Sequence, residues 1–315
     1  MDLGIQVEPQ LGFSYDEIVA IGNAGERAGF TRLWLSDHLF LNPEAIRTDC
    51  LEAWTTLAAL ARDLKHIRIG PMVTCQSYRN PALLAKIAAG VDRLSGGRLE
   101  FGIGAGWKEV EYGPYGYDFP PPALRVDELV DTIEICRRLW TEDRASYTGK
   151  RYSITNAVCA PKPLQAPLPI WVGGAKPRVL RIAVKYATWL NHGGPGVDTT
   201  VGSIGVRQRD VDDACRAAKR DPATLRRSVF LSIVTGATAR DVDAAVSGAA
   251  ARAKQTPQEW RAARPAAIIG TPDLVIARLK EYAAIGIEHA NVIFPFTREI
   301  ETIELLGREV VGALR

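Results

Sequence analysis

Short apolar strands alternate with helices along the whole of this chain, and that alternation limits its fold more than any other feature. Residues 3–7 read as a strand, and Ser14-Tyr15-Asp16-Glu17 then has the S-x-x-E spacing of a capping box, which opens a helix closed by Gly29. A strand at 32–36, a helix at 52–64 and a strand at 67–74 follow. Asn80-Pro81 starts the next helix, since Asn caps and Pro has no N–H to leave unpaired in the first turn. Ser95-Gly96-Gly97 closes it before a fourth strand at 99–104.

The rhythm continues with a fifth strand at 169–173 and a helix from Pro177, then a sixth strand at 188–191 and a helix to Lys219. A seventh strand at 228–235 precedes helical sequence at 241–264, and Thr271-Pro272-Asp273 starts another helix. The eighth strand, 289–293, leads into a closing helix at 298–314. Two insertions interrupt the pattern. Residues 107–124, rich in Gly, Pro and Tyr, follow strand four and precede a helix at 126–141; residues 145–168 precede strand five and contain the hairpin-like Tyr147-Thr148-Gly149-Lys150-Arg151-Tyr152.

Parallel strands need long crossovers, and helices supply them. Eight such units favour an α/β protein with a (β/α)8 TIM barrel, with an open Rossmann-like sheet as the alternative. No low-complexity linker splits the sequence, so residues 1–315 are expected to form one domain.

Bulk properties narrow the function. The net charge of +3 is spread without a basic block, which speaks against a nucleic-acid partner. No apolar run is long enough to span a bilayer, and Met1-Asp2-Leu3-Gly4-Ile5 lacks the start of a signal peptide. The five cysteines form no CxxC pair, so neither a disulfide framework nor a metal site is expected. A cytoplasmic protein in a reducing compartment follows.

In such a barrel the active site lies at the carboxyl ends of the strands. Strand one delivers Gln6 and Glu8 there; strand two, Asp37 and His38; strand three, Val73, Thr74 and Cys75. Strand four delivers Gly104, Ala105, Gly106 and Trp107; strand six, Asn191 and His192; strand eight, Phe294 and Phe296. His38 is suited to moving a proton near neutral pH, whereas Asp37, pointing to the other face, suits anchoring a loop or cofactor. The alternative for this pair is a loop cap beside a satisfied histidine. Gly102-Ile103-Gly104-Ala105-Gly106 lets a flat ring approach the backbone, or serves tight packing at a bend; it is not a Rossmann fingerprint, because Trp107 stands where the last glycine would. Trp107 is either an aromatic wall or core. Cys50 is either a reactive thiol or structural, and His66 and His289, which precede strands, belong at the opposite end of the barrel.

The run Ile170-Trp171-Val172-Gly173-Gly174-Ala175-Lys176-Pro177-Arg178 is an anion socket by its chemistry: a strand stops at paired glycines and a helix starts at proline. First-turn N–H groups, the helix dipole, Lys176 and Arg178 all favour a phosphate. An ordinary turn with solvated basic residues is the alternative.

Asp37-His38, Asp92-Arg93-Leu94-Ser95-Gly96-Gly97-Arg98-Leu99, Gly102-Ile103-Gly104-Ala105-Gly106-Trp107 and Pro169-Ile170-Trp171-Val172-Gly173-Gly174 together resemble the bacterial luciferase-like monooxygenase superfamily. The resemblance implies a TIM barrel that binds FMN or the deazaflavin coenzyme F420. The stretch from Gly104 to Tyr112 and Arg144-Ala145-Ser146-Tyr147 look most like the F420-dependent branch. On that likeness Asp37 and His38 flank the cofactor ring with His38 exchanging the proton, and Trp107 completes the catalytic set. Met72-Val73, followed by Thr74, matches a bulge where relatives carry a non-prolyl cis peptide behind the ring. Ala105 and Gly106 line the cofactor, while Gly173, Gly174, Ala175 and Lys176 hold its phosphate.

The implied function is an F420-dependent oxidoreductase that transfers a hydride between the deazaflavin and a small organic substrate, in a homodimer. Two alternatives stay open: an FMNH2-dependent monooxygenase, favoured by the likeness of Cys50-Leu51-Glu52-Ala53-Trp54 to alkanesulfonate monooxygenases, and a non-catalytic flavin-binding barrel. Trp107 occupies a position held by a carboxylate in sugar-phosphate-oxidising relatives, which argues against that substrate. Asn191-His192-Gly193-Gly194 departs from the commoner Gly-Trp-Asn sequence. Tyr112, Tyr115, Tyr117 and Phe119 are expected to roof the pocket.

Overall fold

A computed structural model describes residues 1–174, 176–194, 196–295 and 299–315, the side chain of Glu299 excepted. The barrel staves are β1 (Asp2–Val7), β2 (Arg32–Leu35), β3 (Arg68–Pro71) with β4 (Thr74–Cys75), β5 (Phe101–Gly104), then β8 (Ile170–Gly173), β9 (Trp189–His192), β10 (Arg226–Thr235) and β12 (His289–Ile293). All pair in parallel in the order β3-β2-β1-β12-β10-β9-β8-β5-β4. The ring closes where Ile69 bridges Leu99 and β4 pairs β5. This is a TIM barrel of the α/β class, with strand three in two pieces.

The Met72–Val73 peptide between β3 and β4 is cis, at the bulge where the family likeness put such a bond, and the strand read from sequence as 67–74 is there in two pieces. Glycine makes the neighbouring strand compatible: a Cβ on Gly102 would lie 2.0 Å from the Pro71 carbonyl oxygen.

Helices α1 (Tyr15–Ala28), α2 (Ala53–Asp63), α3 (Pro81–Leu94), α4 (Pro122–Thr141), α5 (Pro177–Tyr186) and α6 (Val201–Ala217) connect the first staves. Ser14 and Glu17 form the expected capping box of α1, and the Asn80 side-chain Oδ1 accepts from the Ala82 and Leu83 N–H groups to cap α3. Helix α4 begins at Pro122, four residues before its expected start, because Pro fits a first turn as readily as Val126 fits the second. The helical sequence expected at 241–264 is two helices, α7 (Ala239–Arg252) and α8 (Pro257–Ala262), since Thr256 and Glu259 form a second capping box that restarts the chain. It is followed by β11 (Ile268–Gly270), a short parallel strand on β10 that the sequence reading missed, then α9 (Pro272–Ala284) and α10 (Glu299–Glu309). The expected hairpin is antiparallel β6 (Ala145–Thr148) and β7 (Ser153–Ala157), pinned to α4 through Asp131, which accepts from Tyr147 Oη and from the N–H groups of Arg151 and Tyr152.

An aromatic and ionic plug closes the amino-terminal end of the barrel. Trp171 stacks on Trp189 with centroids 4.3 Å apart, and Trp34 meets Trp171 edge-on. Arg32 lies over both stacked rings and pairs with Glu100 at 3.1 Å, while Trp171 Nε1 donates to Glu100 at 2.6 Å. His289 sits fully buried among them; burial, then Arg32 and Arg226, holds its pKa well below the ordinary range, so it is neutral. Met72 packs on this plug, which thereby forms the floor beneath the carboxyl-terminal mouth.

Candidate active site

At that mouth a cavity of about 980 Å³ brings together Asp37, His38, Met72, Val73, Thr74, Ala105, Gly106, Trp107, Gly173, Gly174 and Lys176. Ala175 and Phe296, also singled out from sequence, lie outside the described residues. His192 turns away from the cavity: side chains alternate along β9, so Asn191 faces inward and His192 meets Gln208 of α6 at 3.0 Å. Phe294 is buried in the main core and does not line the cavity.

His38 leaves the end of β2 with its ring edge-on to Trp107, the centroids 5.6 Å apart. Its Nδ1 is 3.0 Å from Glu111 Oε2. Facing a carboxylate, Nδ1 carries a proton, and Nε2 is left as the nitrogen available to the cavity. Glu111 is fully buried and accepts five hydrogen bonds: from His38 and Tyr78 Oη on Oε2, and from Lys108 and the N–H groups of Leu39 and Phe40 on Oε1. Burial alone would raise its pKa, but the bonds from His38, Tyr78 and Lys108 outweigh it and hold the carboxyl at about 2.

Glu111 is the residue that sequence reasoning missed. It sits in a single 3-10 turn, Glu109–Glu111, of the first insertion, where no helical or strand period marks it as inward-facing. Arg79 was missed for a similar reason.

Asp37 is a structural anchor in this geometry. Its carboxylate receives Arg79 through both guanidinium ends at 2.7 and 2.9 Å, Thr74 Oγ1 at 2.6 Å and the Cys75 N–H at 3.0 Å. These bonds tie the end of β2 to the segment just past the cis peptide. Thr74 in turn accepts from Trp54 Nε1, so α2 is locked to the same point.

Gly106 has φ of +77°, and a Cβ there would lie 2.0 Å from Tyr112 Oη. Behind it Tyr112, Tyr117, Phe119 and Tyr78 pack on one another. Of the insertion aromatics expected to roof the pocket, Tyr112, Tyr117 and Phe119 back its wall instead and Tyr115 is exposed against Phe40; none of the four lines the cavity. Pro122, Ala123, Arg125 and Val126, from the start of α4, line it in their place. Cys75 lies beside Tyr112, its thiol pushed up to about 11 by burial, and Cys50 is likewise pushed up to about 11, so neither is a poised nucleophile.

Across the barrel, β8 ends at Gly173 and Gly174, the latter with φ of +138°, and α5 starts at Pro177 with Lys176 as its N-cap. The first-turn N–H groups of α5, Lys176 and this glycine bend form a cationic end to the cavity. Arg178 is engaged with Asp127 at 2.9 Å; Lys176 is exposed and makes no ion pair among the described residues. These groups fit the phosphate of a cofactor, and Met72, Val73 and Ala105 line the same cavity. No group of three or more His, Cys, Asp or Glu is placed to hold a metal among the described residues, and none of their helices is long and apolar enough to cross a membrane.

Residues 2–289 match the luciferase-like monooxygenase family, and the chain belongs to it. It is 31% identical over 246 residues to an F420-dependent hydroxymycolic acid dehydrogenase of Mycobacterium tuberculosis, an alignment covering 73% of this chain and 63% of that relative. It is 27% identical to a 5,10-methylenetetrahydromethanopterin reductase of Archaeoglobus fulgidus across the whole of both chains. Among solved structures, an F420-dependent secondary alcohol dehydrogenase carrying an F420-acetone adduct superposes with a TM-score of 0.81 at 18% identity, over 100% of this chain and 99% of the other. The chain is thus an enzyme of the luciferase-like class.

Proposed function

We propose that this chain is an F420-dependent oxidoreductase acting on a small organic alcohol or carbonyl compound. The observation that carries the reading is His38, which lines the cavity and is bonded through Nδ1 to a buried carboxylate, with the glycine bend and first turn of α5 on the same cavity. Relatives named for F420-dependent chemistry support it.

Bound deazaflavin supplies a hydride acceptor or donor at its ring carbon. The chain's own residues do the rest. Gly173, Gly174, Ala175 and Lys176 would hold the phosphate, and Met72, Val73, Thr74, Ala105 and Gly106 would bear on the ring. His38 Nε2 takes the hydroxyl proton as an alcohol carbon gives up hydride, and returns it in the reverse direction. Glu111 steadies the imidazolium so formed, Asp37 anchors the loop, and Trp107 shields the ring of His38. One domain over residues 1–315, a cytoplasmic setting and a homodimer complete the reading; five cysteines without a disulfide support the second of these.

A screen of secondary alcohols with F420, and of ketones with reduced F420, tests the proposal through the cofactor's absorbance. Turnover of at least one pair, lost in His38→Gln while F420 binding persists, is expected. Equal turnover in His38→Gln overturns the role of His38.

A further inference from the structure

Glu8 and Asp37 are the two carboxylates that line the cavity among the described residues, and their surroundings differ. Asp37 is neutralised by Arg79, Lys108 by Glu111 and Arg178 by Asp127. Glu8, just past the end of β1, has no cationic partner among the described residues. Its Oε1 accepts from Gln6 Nε2 at 3.0 Å, and its Oε2 accepts from Gln10 Nε2. Both amides are themselves held. Asn291 donates to Gln6 Oε1 at 2.9 Å, and Ser36 donates to Gln10 Oε1 at 2.8 Å.

The result is a chain of hydrogen bonds from Ser36 to Asn291 with a carboxylate at its centre, and its other four members are buried. A carboxylate is acceptor-only, so both amide NH2 groups must face Glu8, which fixes the two glutamine orientations. Each oxygen uses one of roughly two acceptor directions on these amides. The remaining acceptor capacity belongs to whatever shares the cavity.

Topology says what that is. In the ring of staves β8 lies four places from β1, so the phosphate end at Gly173–Lys176 and Glu8 face each other across the barrel. If the cofactor fills the side made by β4, β5 and β8, as proposed above, then Glu8 borders the remaining space together with Phe230 of β10 and Ile293 of β12. Phe230 and Ile293 are apolar, while Ser36 and Asn191, also on the cavity wall, are engaged with Gln10 and Ser228.

We propose that Glu8 is a substrate-recognition residue that accepts a hydrogen bond from a hydroxyl or protonated amine on an otherwise apolar substrate and rejects carboxylates. The inference rests on the cofactor reading only for which side of the cavity is free. A fixed acceptor in apolar surroundings favours a donor strongly, because an analogue without one leaves the acceptor unpaired, and an anion adds repulsion.

Calorimetric titration of hexylamine, hexanol and hexanoate into the purified protein, with and without F420, tests this. The expected result is that Glu8→Gln weakens hexylamine by about tenfold and tightens hexanoate, with F420 affinity unchanged. Glu8→Asp, which keeps the charge but retracts it, is expected to lose part of the amine preference and keep its sign. Folding of both variants is checked by thermal melts, and the wild-type and Glu8→Asp rankings decide the matter if Glu8→Gln does not fold. The same affinities in wild type and Glu8→Gln, a wild-type preference for hexanoate, or no binding of any probe overturns the proposal. Failure of F420 itself to bind overturns the cofactor reading instead, and the ranking on the cofactor-free protein still judges Glu8.

Discussion

His38 and Glu111 are joined at 3.0 Å across 73 positions of sequence, and the bond ties the catalytic candidate at the end of β2 to the insertion after β5. The same carboxylate collects Tyr78, Lys108 and two backbone N–H groups of the loop that carries His38. A fixed charge in this setting does two things: it selects the tautomer of His38, and it holds the loop on which His38 stands.

Glu111→Gln should therefore act through His38. A glutamine cannot satisfy all five donors, and its own NH2 meets donors at close range. Its kcat should fall roughly tenfold to a hundredfold with little change in KM, the pattern of a mispositioned reacting group. Steady-state kinetics alongside an F420 titration separate this from a loss of cofactor affinity, which a positioning role does not require.

Asp37→Asn should destabilise the fold by about 2–3 kcal/mol, because it leaves the half-buried Arg79 with Glu52 as its remaining carboxylate partner and loosens Thr74 and the Cys75 N–H. Chemical denaturation measures the loss; an unchanged midpoint would show that the anchor is dispensable.

Gly106→Ala should be poorly tolerated. The positive φ and the overlap with Tyr112 Oη together cost about 2 kcal/mol or more, and the displaced wall should also weaken cofactor binding. Thermal melting and F420 titration of the variant report the two effects separately.

Acid should weaken the protein before its carboxylates titrate. Burial, partly offset by its bond to Gln208, lowers His192 from 6.5 to about 4, so the unfolded chain binds a proton there that the folded chain does not. Stability from this group is complete above pH 6.5 and is lost as pH falls toward 4; His289, also depressed, adds to the same slope. Glu111 contributes a second loss between its ordinary 4.5 and about 2. Denaturation midpoints measured from pH 7.5 to 4 should fall steadily, and His192→Gln should flatten that fall.

The sequence made the staves and their order legible because period-two strands, capping boxes and Gly stops are local signals. Ser14 with Glu17, Asn80 with Pro81, and Gly173-Gly174 before Pro177 each state their geometry within a few residues. What escaped depends on distant partners. Glu111 gains its meaning from His38 and Tyr78, Arg79 from Asp37 and Glu52, and the insertion aromatics from Gly106, whose missing side chain gives Tyr112 its place. Strand β11 has only three residues, and its pairing with β10 decides its conformation.

The cationic cradle after β8 and the strand-end wall at Met72, Val73, Ala105 and Gly106 together make the proposed deazaflavin site. Equilibrium titration of the purified protein with F420 and, separately, with FMN measures this most directly. Saturable F420 binding at least about tenfold tighter than FMN is the predicted result. Binding of FMN alone, or of neither, would contradict it.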